Sequence, residues 1–173
     1  MVVGKIMRLA LYQPEIPQNA GTLMRLSACL GVPMDIIEPC GFIWHDQKLQ
    51  RAGMDYIELA NVQRHVSFES FQQAQPQRVV LIDTKAATSF LDFNFEKDDI
   101  LLLGKESVGM PDEIFEKIPH RVVIPMVEGR RSLNVAVAGA MVLSEALRQT
   151  QGFDRGGVHD NTGAEGGIRM LDY

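Results

Sequence analysis

Three short segments of this sequence combine polar side chains and glycine in ways that suit the binding of a small polar ligand. They span residues 19–25, 103–109 and 131–134. They belong to three predicted loops, 13–21, 104–111 and 127–134, each of which follows a strand and precedes or contains the start of a helix. Ligands of open α/β sheets bind at the carboxyl ends of the strands, so we expect the three segments to form one site. The free N–H groups of a helix start would hold a polar or anionic group there.

The glycines of the second segment do not match the common nucleotide-binding patterns. Gly104 and Gly109 stand five residues apart, but the Lys-Ser/Thr pair of a Walker loop does not follow them. A G-x-G-x-x-G fingerprint after a strand is also missing, which argues against a classical NAD site. We expect Gly104 to let a ligand lie against bare backbone.

Metal and thiol chemistry find little support in the sequence. The four histidines show no metal-ligand spacing, so we expect no metal. Cys29 and Cys40 lack a C-x-x-C spacing and lie in apolar contexts, which favours buried free thiols over a disulfide or a metal site. A nucleophilic Cys29 or Ser132 with a histidine base stays open, although a nucleophile elbow is absent.

The composition indicates one soluble globular domain of 173 residues, with 46% hydrophobic and 23% charged residues. Apolar runs are far shorter than the ~20 residues of a membrane span, and the N-terminus does not resemble a signal peptide. We therefore expect a cytoplasmic protein without membrane contact. The net charge of −5 argues mildly against nucleic-acid binding, but phosphate binding needs only a local basic face.

Short apolar runs alternate with helical patterns, which is typical of a mostly parallel sheet flanked by helices. We predict strands at 7–12, 33–38, 78–83, 99–103 and 121–126. We predict helices at 19–31, with Asn19 as N-cap and Gly31 as stop, at 46–52, at 67–74, from Pro111, and at 132–149. The folded domain should span 1–152, and the glycine-rich residues 153–173 should form a tail that is flexible or lies on a partner.

The last predicted helix contains the uncharged run 135–143, and a helix apolar on every side must be buried all round. One domain of this size has too little sheet to cover it, so we predict a homodimer built partly on this helix. Ala136, Gly139 and Ala140 are small enough for close backbone approach. The alternative is a helix enclosed within one chain.

Together the three segments resemble the SPOUT superfamily of RNA methyltransferases, in particular its TrmH/TrmL branch. The motifs are Asn19-x-Gly21-x-x-x-Arg25, Leu103-Gly104-x-Glu106-x-x-Gly109 and Ser132-Leu133-Asn134. The likeness covers roughly residues 7–153. Segments 14–19, 51–56, 124–126 and 131–134 are most similar to the short TrmL type, which modifies the wobble nucleotide of leucine tRNAs.

The resemblance implies an α/β fold whose C-terminal part, roughly 78–150, is threaded as a deep trefoil knot, a homodimer, and S-adenosylmethionine as cofactor. It implies 2′-O-methylation of a wobble cytidine or modified uridine in tRNA. The cofactor-binding positions would be Ile82, Gly104, Ile124, Met126, Ser132 and Leu133. The catalytic positions would be Asn19, Arg25, Glu106, Ser132 and Asn134.

Methyl transfer to a ribose 2′-oxygen creates an alkoxide-like nucleophile, which a nearby cation stabilises. The resemblance offers Arg25 as the base, but a guanidinium holds its proton at neutral pH, so we expect electrostatic stabilisation. Ser132 and Asn134 would orient ribose or cofactor, and Glu106 would form an ion pair with Arg25 or Arg131. We expect tRNA contacts from Lys48, Arg51, Arg64, Arg130 and Arg131.

Three other functions stay open at this point. The protein could methylate another tRNA or rRNA nucleotide, or bind RNA without catalysis. A small-molecule enzyme of another doubly wound type is the third, and the absent glycine fingerprints argue against it.

Overall fold

The computed structural model describes residues 6–44 and 60–154, and within them seven strands form one parallel sheet of order β3-β2-β1-β6-β4-β7-β5. The strands are β1 (Arg8–Tyr12), β2 (Met34–Ile37), β3 (Val62–His65), β4 (Val79–Ile82), β5 (Thr88–Ser89), β6 (Ile100–Leu103) and β7 (His120–Val123). The helices of this part of the chain are α1 (Pro17–Leu30), α2 (Phe68–Ala74), α3 (Asp112–Lys117) and α4 (Val135–Thr150).

The sheet is covered on both faces, as its continuous apolar strands require. Leu9 and Leu101 point into the core beneath α1 and α4, whereas Ala10 and Leu102 point into the core beneath α2 and α3. The central strands β1 and β6 are almost wholly buried. The prediction of a mostly parallel sheet flanked by helices is therefore confirmed.

Two strands of the sheet were not predicted from the sequence. β3 reads Val-Gln-Arg-His and forms an edge of the sheet, so Gln63 and Arg64 are exposed and the apolar signal is missing. β5 is two residues long at the other edge. The expected helix at 46–52 and most of the expected tail, from residue 155 onward, lie outside the described residues.

Helix α1 begins two residues earlier than its sequence suggested. Pro17 occupies the first turn and Ile16 is the N-cap, so the prediction of Asn19 as N-cap is wrong. Proline suits this position because the N–H it lacks would have no partner inside the helix. Asn19 consequently lies one turn inside α1, where it is buried. Gly31 ends the helix with φ 65°, as predicted.

Helix α4 begins later than predicted, at Val135, and strand β7 ends earlier, at Val123. Asn134 is the N-cap, since its Oδ1 accepts from the N–H groups of Ala136 at 2.8 Å and Val137 at 3.3 Å. The connection between β7 and α4 therefore spans residues 124–134. It carries all the predicted site residues of this region.

The expectation that α4 is buried on every side, with small residues facing a partner, needs correction. Ala136 is buried in this chain's own core, and a Cβ on Gly139 would approach Leu103 Cδ1 at 2.9 Å and Leu23 Cδ2 at 3.0 Å. The small residues thus let α4 approach α1 and β6. The exposed apolar side chains of the helix are Val137, at 49%, and Met141, at 40%.

The two cysteines differ from each other. Cys29 is exposed on α1, so its prediction as a buried thiol is wrong. Cys40 is half-buried, and burial raises the pKa of its thiol to about 11.

Within the described residues, no helix is long and apolar enough to cross a bilayer.

Candidate active site

A cavity of about 570 Å³ opens at the carboxyl ends of β4 and β6, beside the connection that follows β7. Its volume lies within the range of ligand pockets, about 300–1,000 Å³. The lining includes all six residues predicted to bind the cofactor, namely Ile82, Gly104, Ile124, Met126, Ser132 and Leu133. Of the predicted catalytic residues it includes Asn19, Glu106, Ser132 and Asn134, whereas Arg25 is not part of it.

The loop after β6 folds back on itself, which explains its glycines. Lys105 and Gly109 exchange backbone hydrogen bonds of 3.1 and 2.9 Å. A Cβ on Gly104 would come within 2.6 Å of the Gly109 carbonyl carbon and 2.7 Å of the Met110 nitrogen. A side chain at position 104 would therefore collide with the chain's own backbone, and Gly104 also lines the cavity, so its role toward a ligand stays a prediction.

Three of the predicted catalytic residues are joined in one hydrogen-bonded chain, which we call the amide relay: Glu106, Asn19 and Asn134. Asn134 Nδ2 donates to Asn19 Oδ1 at 2.9 Å, and Asn19 Nδ2 donates to Glu106 Oε1 at 3.3 Å. The hydrogen bonds that cap α4 determine which amide atom donates and which accepts along the relay. Asn134 must turn its oxygen toward the N–H groups of α4, so its nitrogen faces Asn19, whose own nitrogen then faces Glu106.

Glu106 also accepts backbone hydrogen bonds from Glu15 at 2.8 Å and Ile16 at 3.3 Å, at the entry to α1. These contacts and Asn19 take the place of the ion pair expected from the sequence. The carboxylate thus holds the start of α1 against the cavity. The relay ties the entry of α1, the loop after β6 and the start of α4 into one unit.

Asp83 is a site residue that the sequence reasoning missed. It follows β4 directly, and its carboxylate accepts from the N–H of Lys85 at 2.9 Å and of Met110 at 3.4 Å, linking two walls of the cavity. Lys85 lines the cavity too, and its hydrogen bond with Asp112 raises the pKa of its ammonium. The rule that polar residues just after a strand mark the site could have found Asp83.

Arg25 lies on the exposed side of α1 with Thr22 and Cys29. The opposite side of the helix packs into the core, with Ala20, Leu23 and Ser27 buried as predicted and Leu30 half-buried. Arg25 is therefore held outward by the helix, as its position relative to the apolar stripe indicated.

The predicted RNA-binding residues fall into three groups. Arg130 and Arg131 are exposed in the connection next to Ser132 at the cavity. Arg64, on the edge strand β3, pairs with Glu38 and lies 4.8 Å from the ring centroid of Trp44. Lys48 and Arg51 lie outside the described residues. In residues 6–44 and 60–154, no cluster of three His, Cys, Asp or Glu side chains could hold a metal ion.

The SpoU rRNA Methylase family matches residues 6–144, which is most of the chain. The chain belongs to this family. The resemblance seen in the three motifs is thereby confirmed.

A tRNA (cytidine(34)-2'-O)-methyltransferase of Ancylobacter novellus is 52% identical over 153 residues, covering 87% of this chain and 97% of the relative. A solved structure described as giving insights into the 2-OH methylation of C/U34 on tRNA is 40% identical, with a TM-score of 0.79, and covers 84% of this chain and 96% of its own. The SpoU methyltransferase AviRb of Streptomyces viridochromogenes, solved with the cofactor AdoMet, is 25% identical with a TM-score of 0.73. The match covers 84% of this chain and 60% of the AviRb chain.

The cavity suits S-adenosylmethionine by its chemistry. Ile82, Leu103 and Ile124 give the lining apolar side chains that would take a planar base, while Ser132 and Asn134 add polar side chains. Pockets that combine apolar walls with a few fixed polar groups are typical of small-molecule cofactors.

Proposed function

We propose that this protein methylates the ribose 2′-hydroxyl of nucleotide 34, the wobble nucleotide, of tRNA in the cytoplasm, with S-adenosylmethionine as methyl donor. The observation that carries the proposal is the cavity in which the six expected cofactor residues converge beside the amide relay. The activity that names the Ancylobacter relative supports the choice of nucleotide. The resemblance to the TrmL type favours a cytidine or modified uridine in leucine tRNAs.

We assign roles by what each group can do. When bound, S-adenosylmethionine would supply an electrophilic methyl group, and Ile82, Gly104, Ile124, Met126, Ser132 and Leu133 would hold it. The Asn19 and Asn134 amides are fixed in the relay, so they position rather than exchange protons. Arg25, as a guanidinium, would stabilise the developing charge on the ribose oxygen.

We propose further that the enzyme is a homodimer and that residues 78–150 form the trefoil knot of the family. The exposed apolar side chains of α4 support the dimer. Arg25 is outside the lining of its own cavity, and a dimer that brings Arg25 to the cavity of the partner protomer would complete the site. Arg130 and Arg131, with Lys48, Arg51 and Arg64, would contact the tRNA.

The proposal is tested by methyl transfer to tRNA isolated from a strain that lacks this gene, followed by nucleoside mapping. We expect 2′-O-methylation at position 34 of leucine tRNAs, and its loss on transcripts with a 2′-deoxy nucleotide there. Methylation at another position would contradict the assignment of nucleotide 34 as the substrate. Cofactor binding without any methyl transfer would indicate a relative that binds RNA without catalysis.

Cofactor binding has an independent measure in thermal unfolding. A ligand that binds the native state alone, at a hundred times its Kd, adds about 2.7 kcal/mol to the free energy of unfolding. We expect the unfolding midpoint to rise with S-adenosylmethionine concentration. An unchanged midpoint at saturating concentrations would contradict the cofactor assignment.

A further inference from the structure

Two loops at the cavity hold each other through a reciprocal pair of contacts, which we call the glutamate clamp. The Glu15 carboxylate accepts from Ser107 N at 2.9 Å and from Ser107 Oγ at 2.9 Å. In the other direction, the Glu15 N–H donates to Glu106 at 2.8 Å. The loop before α1 therefore contributes the backbone N–H and the carboxylate of Glu15. The loop after β6 contributes the Glu106 carboxylate and the N–H and hydroxyl of Ser107.

The Glu15 side chain is only half-buried, so solvent screens its contacts and they add little to global stability. Its geometry is nevertheless specific. Both carboxylate oxygens are used, and the hydrogen bonds from Ser107 lower the pKa of the Glu15 carboxyl, so it stays charged at neutral pH. A charged acceptor with two donors on one residue sets the register of the loops.

The backbone of Glu15 is confined on its other side too. A Cβ on Gly41 would come within 2.8 Å of the Glu15 Cα, and the Gly41 N–H donates to the Pro14 carbonyl at 2.9 Å. The segment that starts α1 is therefore gripped between the chain after β2 and the loop after β6. It has little room to move unless the clamp opens.

The clamp joins two parts that have to be aligned for methyl transfer. Residues 103–109 form a wall of the cavity, and the back-folded pairing of Lys105 with Gly109 keeps this loop compact. Helix α1 carries Arg25 on its exposed side and starts two residues after Glu15. A shift between loop and helix would change where Arg25 and the amide relay stand relative to the cavity.

We propose that Glu15 is a positioning residue for methyl transfer, acting through Ser107 to fix α1 against the cofactor cavity. The inference rests on the proposed function. A misplacement of about 1 Å costs on the order of 10²-fold in rate when reacting groups must align. Loss of the clamp should therefore lower the rate of transfer while leaving cofactor affinity close to that of the native protein.

The test measures single-turnover transfer to tRNA at saturating S-adenosylmethionine, together with cofactor affinity by calorimetry, on full-length protein. For Glu15→Ala and Ser107→Ala we expect transfer rates roughly 10- to 100-fold lower and a cofactor Kd within about threefold. The double variant should be no slower than Glu15→Ala, because Ser107→Ala keeps the N–H that donates to Glu15. Ser107→Thr keeps the hydroxyl and should restore transfer. Glu113→Ala, which removes an exposed ion pair with Lys117 on α3, is the control and should transfer normally.

Normal transfer by Glu15→Ala overturns the inference, as does a loss confined to cofactor affinity. Additive effects of the two alanine variants would also overturn it, because residues acting through one contact cannot lose it twice. Wild-type protein that is inactive on tRNA overturns the proposed function and this inference together. Active wild type with unaffected variants overturns the inference alone.

Discussion

Several polar side chains that line the cavity are already hydrogen-bonded within the chain, among them Asn19, Glu106 and Asn134. Asn19 is 8% exposed and shares its amide between Glu106 and Asn134. An amide cannot act as a proton acceptor at neutral pH, and the Glu106 carboxylate is occupied by the N–H groups of Glu15, Ile16 and Asn19. Stabilisation of charge on the ribose oxygen therefore depends on a cation, for which Arg25 is the candidate.

Replacing Arg25 with alanine should lower single-turnover methyl transfer by about 10²–10³-fold, the scale seen when one preorganised stabilising group is deleted. Cofactor affinity should persist, since Arg25 does not line the cavity. Arg25→Lys should restore little, because lysine lacks the planar donor fork. Arg148→Ala, which removes an exposed arginine from α4, serves as control. Near-normal transfer would remove Arg25 from the mechanism, and lost cofactor binding would assign it to the fold.

Asn134 has two separable duties, which two substitutions distinguish. Asn134→Ala removes the N-cap of α4 and should reduce the free energy of unfolding by about 1 kcal/mol. Asn134→Asp keeps a capping oxygen but turns a second oxygen toward Asn19 Oδ1, and a flip of Asn19 would only move the mismatch to Glu106. We expect near-native stability in urea unfolding but slower transfer for the aspartate. Normal transfer by Asn134→Asp would show that the relay is dispensable.

At the scale of elements, the sequence predicted what depends on local pattern. The central strands are continuous apolar runs, and Gly31 marks the end of α1, so both were found. β3 was missed because its polar residues pair in an edge strand through backbone bonds that any side chain permits. The N-cap of α1 was predicted at the wrong residue because the polar side chain of Asn19 does not cap the helix. It binds Glu106, which is 87 residues away in the sequence. Long-range hydrogen bonds leave no periodicity in the sequence.

Helix α4 carries an ion pair with a clear pH signature. Hydrogen bonds from Arg148 and Gln149 lower the pKa of Glu145 from an ordinary value of 4.5 to about 2. The folded state thus favours the carboxylate, and this stabilisation is present above pH 4.5 and lost as the pH falls toward 2. Glu145→Gln should reduce the free energy of unfolding at pH 7 by less than about 1 kcal/mol, since solvent screens the pair. The difference from wild type in urea unfolding should narrow at pH 3, and a constant difference would contradict the assignment.

At the scale of the whole molecule, an acidic chain has to bind a polyanion through a local basic face. Arg130 and Arg131 are exposed together in the connection beside the cavity. If both contact phosphates, each removed charge should lower the slope of log binding constant against log salt by roughly one. The measurement is tRNA binding by Arg130→Ala/Arg131→Ala between low and physiological salt. Unchanged affinity and slope would exclude the pair from the RNA face.

The exposed apolar surface of α4 bears on whether one chain is a complete enzyme or needs a second copy. Val137 and Met141 keep 49% and 40% of their surface exposed on the helix that follows the cavity. Covering this surface with a second copy would bury apolar area from both chains, which is favourable at about 25 cal/mol per Å². We therefore expect a dimer at micromolar concentration in sedimentation equilibrium.

Met141→Glu places a carboxylate where the partner should pack, and burying an unpaired charge costs several kcal/mol. We expect the dimer Kd to rise by at least about 10²-fold, with methyl transfer lost in parallel if Arg25 acts on the partner's cavity. Leu91→Glu adds the same charge at a side chain that is 61% exposed on the loop after β5, and it should stay dimeric and active. A wild-type monomer at micromolar concentration would reject the dimer. A dissociated yet fully active Met141→Glu variant would show that each chain holds its own arginine at its own cavity.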